Sequence, residues 1–318
     1  VEKKAKTMNA KPHFDPKTML SDVVRNAAVL FCLSATAPGK TRLDKEASKK
    51  SDQDHGAVEG ASHNNVERLP GSAGRYDVKL RKLQAAARTL VYERTTPWGN
   101  SDKRLLPNGK IMTLAGELKT LITEFDTLKQ EMIANIPTLL AEAQQNIGKY
   151  QVAVPTEDEL KTRYTLTQTI EPLPDPKNFN VLSPDLAAAL TRQLEAMTIA
   201  ATNQAKEHVL DEMLKVVEKA IERVSLLDQH NPNSGAKTPP LHDSVMENIK
   251  AKLEMFSSFN LENNPRWKEV DAFMQRTLMH VSSEDAKSDK HVRKDILVHA
   301  NEAKKKLAEL KDLLVPGF

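Results

Sequence analysis

The octapeptide Ser34-Ala-Thr-Ala-Pro-Gly-Lys-Thr41, directly after an apolar run, invites comparison with a phosphate-binding loop. That chemistry needs G-x-x-x-x-G-K-[ST] between a strand and a helix, so that backbone amides cradle the phosphates while Lys and Thr hold phosphate and Mg²⁺. Gly39, Lys40 and Thr41 fit, but Ser34 replaces the first glycine and Pro38 lacks the N–H that the nest requires. No alternating β–α pattern follows, so Pro38-Gly39 reads as a turn and nucleotide hydrolysis is not expected. Asp52, Asp54, His55 and His63 offer carboxylate and imidazole ligands, a set suited to a metal-dependent enzyme. They lie in a loop-like composition that fixes no geometry, and His208, His291 and His299 form neither H-E-x-x-H nor paired E-x-x-H spacing. The single cysteine, Cys32, is expected as a buried, inert thiol, and one cysteine excludes both a disulfide framework and a multi-cysteine metal cluster. No catalytic residue, metal or cofactor is expected.

A second chemistry is electrostatic. Asp77 to Arg94 has helical spacing through Val78, Leu80, Leu83, Ala87, Leu90 and Val91, and carries Lys79, Arg81, Lys82, Arg88 and Arg94. Such a basic amphipathic helix either solvates an outer face or contacts phosphates, with Trp98 as a stacking residue for a base. Charge across the chain is uneven: residues 1–110 carry +9 and residues 111–318 carry −6, giving the net +3. That asymmetry suits a nucleic-acid contact, an acidic partner or head-to-tail self-association.

The elements that must position these groups are mostly helices. With 11 Gly in 318 residues and 4% aromatics, turns are few and aromatic packing is thin. The longest wholly apolar run, Ala27–Leu33, is far short of the ~20 residues of a membrane span, so no membrane partner is expected. Asp15-Pro16 opens a short helix, after which Val29–Leu33 suits strand or helix equally. Ala35 to Gly74 is the least regular segment, and Thr95 to Asn108 is a turn-rich connector. Leu114, Leu118, Leu121, Phe125, Leu128 and Met132 step by 4, 3, 4, 3 and 4, a heptad seam for another helix or another chain. Pro137 should kink its continuation, and Gly148 should end it. Thr156 and Glu159 have capping-box spacing within an otherwise extended connector, 150–182. Ser183-Pro184-Asp185 then opens one uninterrupted helix over 185–229, roughly 68 Å long at 1.5 Å per residue. Helices follow at 241–258, 265–282 and 285–314.

One stretch resembles a known family. Gly74-Arg75-Tyr76, the run Ala86 to Gly99 with Thr95-Thr96-Pro97-Trp98-Gly99, and Arg104-Leu105-Leu106-Pro107 resemble the uncharacterised phage and mobile-element family called domain of unknown function 3150. Leu43-Asp44-Lys45, His55-Gly56-Ala57 and Pro172 to Pro176 resemble its flanking signatures, so the resemblance covers residues 30–230. It implies a bacteriophage or mobile-element origin, a host-cytoplasm location and association with a MoxR-like AAA+ ATPase. It supplies no catalytic residues.

The expected architecture is mainly α: a flexible arm (1–14), a basic N-terminal module with room for a short β hairpin (15–110), and a long antiparallel helical hairpin or coiled coil (111–229). A linker (230–240) and a C-terminal helical cluster (241–318) complete it. The expected function is a non-enzymatic, homo-oligomeric scaffold or adaptor acting through the Leu114–Met132 seam. The alternative is a DNA-binding accessory factor using the helix 77–94.

Overall fold

The computed structural model describes residues 16–150, 153–179, 183–229 and 241–314. The expected arm 1–14 and linker 230–240 lie outside these residues. Among the described residues the chain is mainly helical, with eleven α-helices and two small sheets. No helix is long and apolar enough to cross a membrane.

Helix α1 (Pro16–Ala27) runs directly into strand β1 (Ala28–Thr36), so the β-branched and aromatic run Val29–Leu33 is a strand. Its inner positions Leu30 and Phe31 are buried, whereas Cys32 is only half-buried, not the enclosed thiol expected. The segment 35–74 is more regular than its composition suggests. It holds β2 (Thr41–Leu43), α2 (Lys45–Asp54) and β3 (Asn65–Glu67), with β2 and β3 antiparallel in the register Thr41 to Glu67 and Leu43 to Asn65. Helix α3 (Ser72–Arg94) is the expected basic helix, begun one turn earlier. Strands β4 (Thr96–Pro97) and β5 (Arg104–Pro107) form the short hairpin within the connector. Helices α4 (Ile111–Ala134) and α5 (Ile136–Ile147) are separated at Asn135 because Pro137, in the first turn of α5, has no N–H to continue the ladder. Thr156 and Glu159 make the reciprocal capping box of α6 (Glu157–Arg163), and β6 (Thr165–Pro172) follows. One helix of 45 residues, α7 (Pro184–Asp228), bears out the uninterrupted pattern. The last four are α8 (Asp243–Ser258), α9 (Pro265–Thr277), α10 (Ser283–Ser288) and α11 (Lys290–Leu314). The larger sheet has strand order β4-β5-β1-β6.

The chain divides into two compact units, each assembled from separated stretches. The first comprises the described residues up to Leu30, Thr95–Gly109 and the described residues from Glu171 onward. Its core joins Ala205, Val209, Met213, Val217, Ala220 and Val224 of α7 to Ile296, Ala300, Ala303, Leu307 and Leu310 of α11, with α8 on another side. Alanines at these positions let the helix axes approach closely. Trp267 stacks on Phe256 with centroids 4.5 Å apart and donates its indole N–H to the Phe256 carbonyl at 3.0 Å. A largely buried ion pair, Lys206 Nζ to Glu262 Oε1 at 2.6 Å, lies at the edge of this core.

The second unit comprises Phe31–Arg94 and Lys110–Ile170. Helix α4 lies along α3, and the heptad seam is consumed there: Leu114, Leu118, Phe125 and Met132 are at most 1% exposed, with Leu80, Ala87 and Val91 of α3 also buried. Leu121 and Leu128 are half-buried. The seam therefore faces this chain's own basic helix, which corrects the expectation of an oligomeric surface. The expected 111–229 hairpin of α4 and α7 is not confirmed. They belong to different units, and each already has apolar partners within its own.

Candidate functional site

Helix α3 sorts its cations by position. Arg81, one turn beyond Asp77, is bound by that carboxylate in a fork, with Nε 2.8 Å from both oxygens, and it also donates to the Pro38 carbonyl. Buried Asp77 in turn accepts from the Tyr164 hydroxyl at 2.5 Å. Burial raises the Tyr164 hydroxyl above its ordinary value, and the Asp77 carboxylate pushes it further in the same direction. Buried Gln84 donates to the Thr36 and Thr165 carbonyls at 2.6 and 2.9 Å, tying α3 to β1 and β6. Arg88 donates to the Ala35 carbonyl at 2.6 Å, and Arg94 pairs with Glu117 at 3.3 Å. Three of the five expected phosphate contacts are thus holding the second unit together.

Lys79 and Lys82 differ. Both are exposed, and neither has a side-chain partner among the described residues. Arg75, one turn before Lys79, is likewise exposed and unpaired among them. The three lie at steps of four and three on one helical face. They border a cavity of about 420 Å³ whose other side is the Pro38–Lys40 turn. Lys40 adds a fourth cation, shared with Glu67 at 3.2 Å, both side chains about half exposed. Behind this rim the walls are mostly apolar, with Pro38, Leu69, Val78, Gly71 and Gly74, and two carboxylates also line it, Glu67 beside Lys40 and buried Asp77.

Two glycines shape the cavity's far end. Gly71 has φ +79°, a left-handed backbone that favours glycine. A Cβ on Gly74 would collide with the Leu69 carbonyl. The first turn of α3 is closed by Glu142 of α5, which accepts from the Ser72 N–H at 3.1 Å and the Ser72 hydroxyl at 3.2 Å. That carboxylate occupies the helix's positive end, so attraction for an anion comes from the side chains and not from the dipole. On their other side Lys79 and Lys82 border a second cavity of about 570 Å³, with Glu124, Thr127 and Glu131 of α4 opposite.

Of the expected residues, then, the structure brings Lys79 and Lys82 together at one site. Arg81, Arg88 and Arg94 serve packing, and Trp98 falls in the other unit. The expected set omitted Arg75 and Lys40. Arg75 continues the stripe of Lys79 and Lys82 by one turn, a signal visible in the sequence; Lys40 reaches the site only because the Pro38-Gly39 turn brings β2 back toward α3.

Other sequence features are absorbed differently. The Ser34–Thr41 octapeptide passes from β1 through a bend into β2, so that a strand and not a helix begins at Thr41, where a helix would have to present amides to a phosphate. Asp52 is buried and accepts from the Gly60 N–H at 2.7 Å, the Ser62 N–H at 2.8 Å and the Ser62 hydroxyl at 2.5 Å. The Ser62 hydroxyl, foremost, holds its carboxyl below the usual range, and burial opposes this. Asp52 therefore closes the 55–62 loop, and among the described residues no group of His, Cys, Asp and Glu is placed to hold a metal ion.

The first unit has its own cleft, of about 950 Å³, along α7. Leu194, Met197, Ala200 and Ala201 line it beside Trp98 and Pro174. Trp98 is half-buried there and packs against the first unit's core. From Pro184 to Met197 no residue of α7 is fully buried; Leu186 is 49% and Met197 60% exposed.

Compared with known proteins, the chain matches no family model, no curated protein and no solved structure. The resemblance over residues 30–230 rests on the residues quoted for it alone.

Proposed function

We propose that this chain is a non-enzymatic nucleic-acid-binding protein whose second unit engages phosphates through Arg75, Lys79, Lys82 and Lys40. The observation that carries this reading is the sorting of cations on α3. Arg81, Arg88 and Arg94 are tied to carbonyls or carboxylates of this chain, while Arg75, Lys79 and Lys82 stand without such partners among the described residues on one exposed stripe beside a concave surface. Four cations on such a surface attract a polyanion by releasing its counterions, which makes affinity fall steeply with salt. Glu124 and Glu131 nearby oppose this attraction, so the binding is moderate in strength.

Anisotropy of labelled single- and double-stranded DNA, titrated with the protein from about 50 to 200 mM salt, tests the reading. Four phosphate contacts imply a loss of about 50-fold across that range for a single strand. Replacing Lys79 and Lys82 together by alanine should halve the logarithmic salt slope and weaken binding about tenfold. No salt-sensitive binding at micromolar protein would reject the reading.

A second reading keeps the scaffold role but moves it to α7. Leu186, Leu190, Leu194 and Met197 form a stripe on the part of α7 that has no fully buried residue. An exposed apolar stripe of this kind suits pairing with the same stripe of a second copy across a two-fold axis.

A further inference from the structure

The cations of the second unit ring a hollow, and this limits what kind of nucleic acid suits it. A duplex presents phosphates on a convex outer surface and keeps its bases stacked inside, so it can touch the rim of the cavity but cannot fill it. A single strand can splay a base away from its neighbours and bury that base's faces. The cavity's volume, about 420 Å³, lies within the range of roughly 300–1,000 Å³ typical of small-molecule pockets, and its walls at Leu69, Val78 and Pro38 are apolar.

Resting on the reading above, we infer that the ligand is a single strand that seats one base in this cavity, with its flanking phosphates on Lys79 and Lys82 to one side and Lys40 to the other. Arg75, whose charge also faces the strand's backbone, supplies the stacking contact to the base. Its guanidinium is exposed, borders the cavity and has no ion-pair partner among the described residues, and a planar guanidinium stacks on a base as an aromatic ring does. The cavity's lining carboxylates are both engaged within the chain, Asp77 by Arg81 and Tyr164 and Glu67 by Lys40, so the apolar walls and the Arg75 plane set the seat's preference for a base face.

The experiment uses the full chain and three probes of equal length, about 16 nucleotides: a single strand, the same strand annealed to its complement, and a strand of the same backbone in which every base is removed. Expected is an affinity for the intact single strand about tenfold above both others, the scale of one stacked base. Val78→Met, which fills the cavity from an exposed wall without offering a flat ring, should bring the intact strand toward the abasic level. Arg75→Lys, which keeps the charge and loses the plane, should narrow the gap between intact and abasic strands. Equal binding of intact and abasic strands, or duplex binding as tight as single-strand binding, would overturn the base seat while leaving the phosphate reading in place. Absence of binding by all three probes would overturn both.

Discussion

Lys79 and Lys82 stand one turn apart on α3, and what surrounds them decides their strength as anion ligands. Glu124 and Glu131 lie across the neighbouring cavity without forming an ion pair with either, so they act as a diffuse negative field against an incoming phosphate. Changing both to glutamine should raise nucleic-acid affinity a few-fold at low salt and hardly at all at high salt, since exposed charges are screened within about 10 Å at 0.1 M; the salt titration reads this directly. Tyr164 gives a pH prediction. Burial and Asp77 raise its folded-state value, so above about pH 10 the unfolded chain loses this proton while the folded chain keeps it. Its contribution is intact below that pH and is lost as pH rises, by up to about 1.4 kcal/mol per unit. Urea midpoints measured from about pH 9 to 11 should fall, and Tyr164→Phe, though less stable at neutral pH without its bond to Asp77, should flatten the fall.

At the scale of the element, α3 and α4 form one packed pair. The seam on α4 was legible in the sequence as a heptad run, and four of its six residues are indeed enclosed. What the run could not specify was the partner, because heptad spacing is the same whether the facing helix belongs to this chain or another. Here the partner is the basic helix, whose buried stripe Leu80, Ala87 and Val91 supplies the facing surface. Leu118→Ala should therefore cost about 2–5 kcal/mol of stability in denaturant unfolding, as a cavity in a packed core does. The cost should be the same at low and high protein concentration; a cost that grows with concentration would restore the intermolecular seam. The same packing explains why α3 offers fewer free cations than its composition promised. A helix lying against a partner uses its longer side chains to tie down neighbouring strands and turns, as Arg81 does at Pro38 and Arg88 at Ala35.

For the molecule as a whole, the unburied apolar stripe of α7 is a further surface to account for. Met197→Glu places a charge in the middle of it. If two chains pair there, sedimentation should show a dimer that this substitution dissociates, with the helical signal unchanged; a monomer at all concentrations would remove the self-assembly reading and leave the nucleic-acid reading untouched. Local facts were determined by the sequence alone: the 45-residue α7, the capping box at Thr156 and Glu159, the break at Pro137, the cap that Asn264 gives to the Arg266 and Trp267 amides, and the basic stripe itself. Each follows from neighbours within a turn or two, where spacing and side-chain chemistry act directly. Tertiary structure decided which long helices pair, that the units are built from interleaved stretches of chain, that Arg81, Arg88 and Arg94 are spent on carbonyls and carboxylates, and that Lys40 arrives beside Arg75. Those outcomes depend on contacts between residues far apart in the chain, and helical periodicity records that a face must be buried without recording against what.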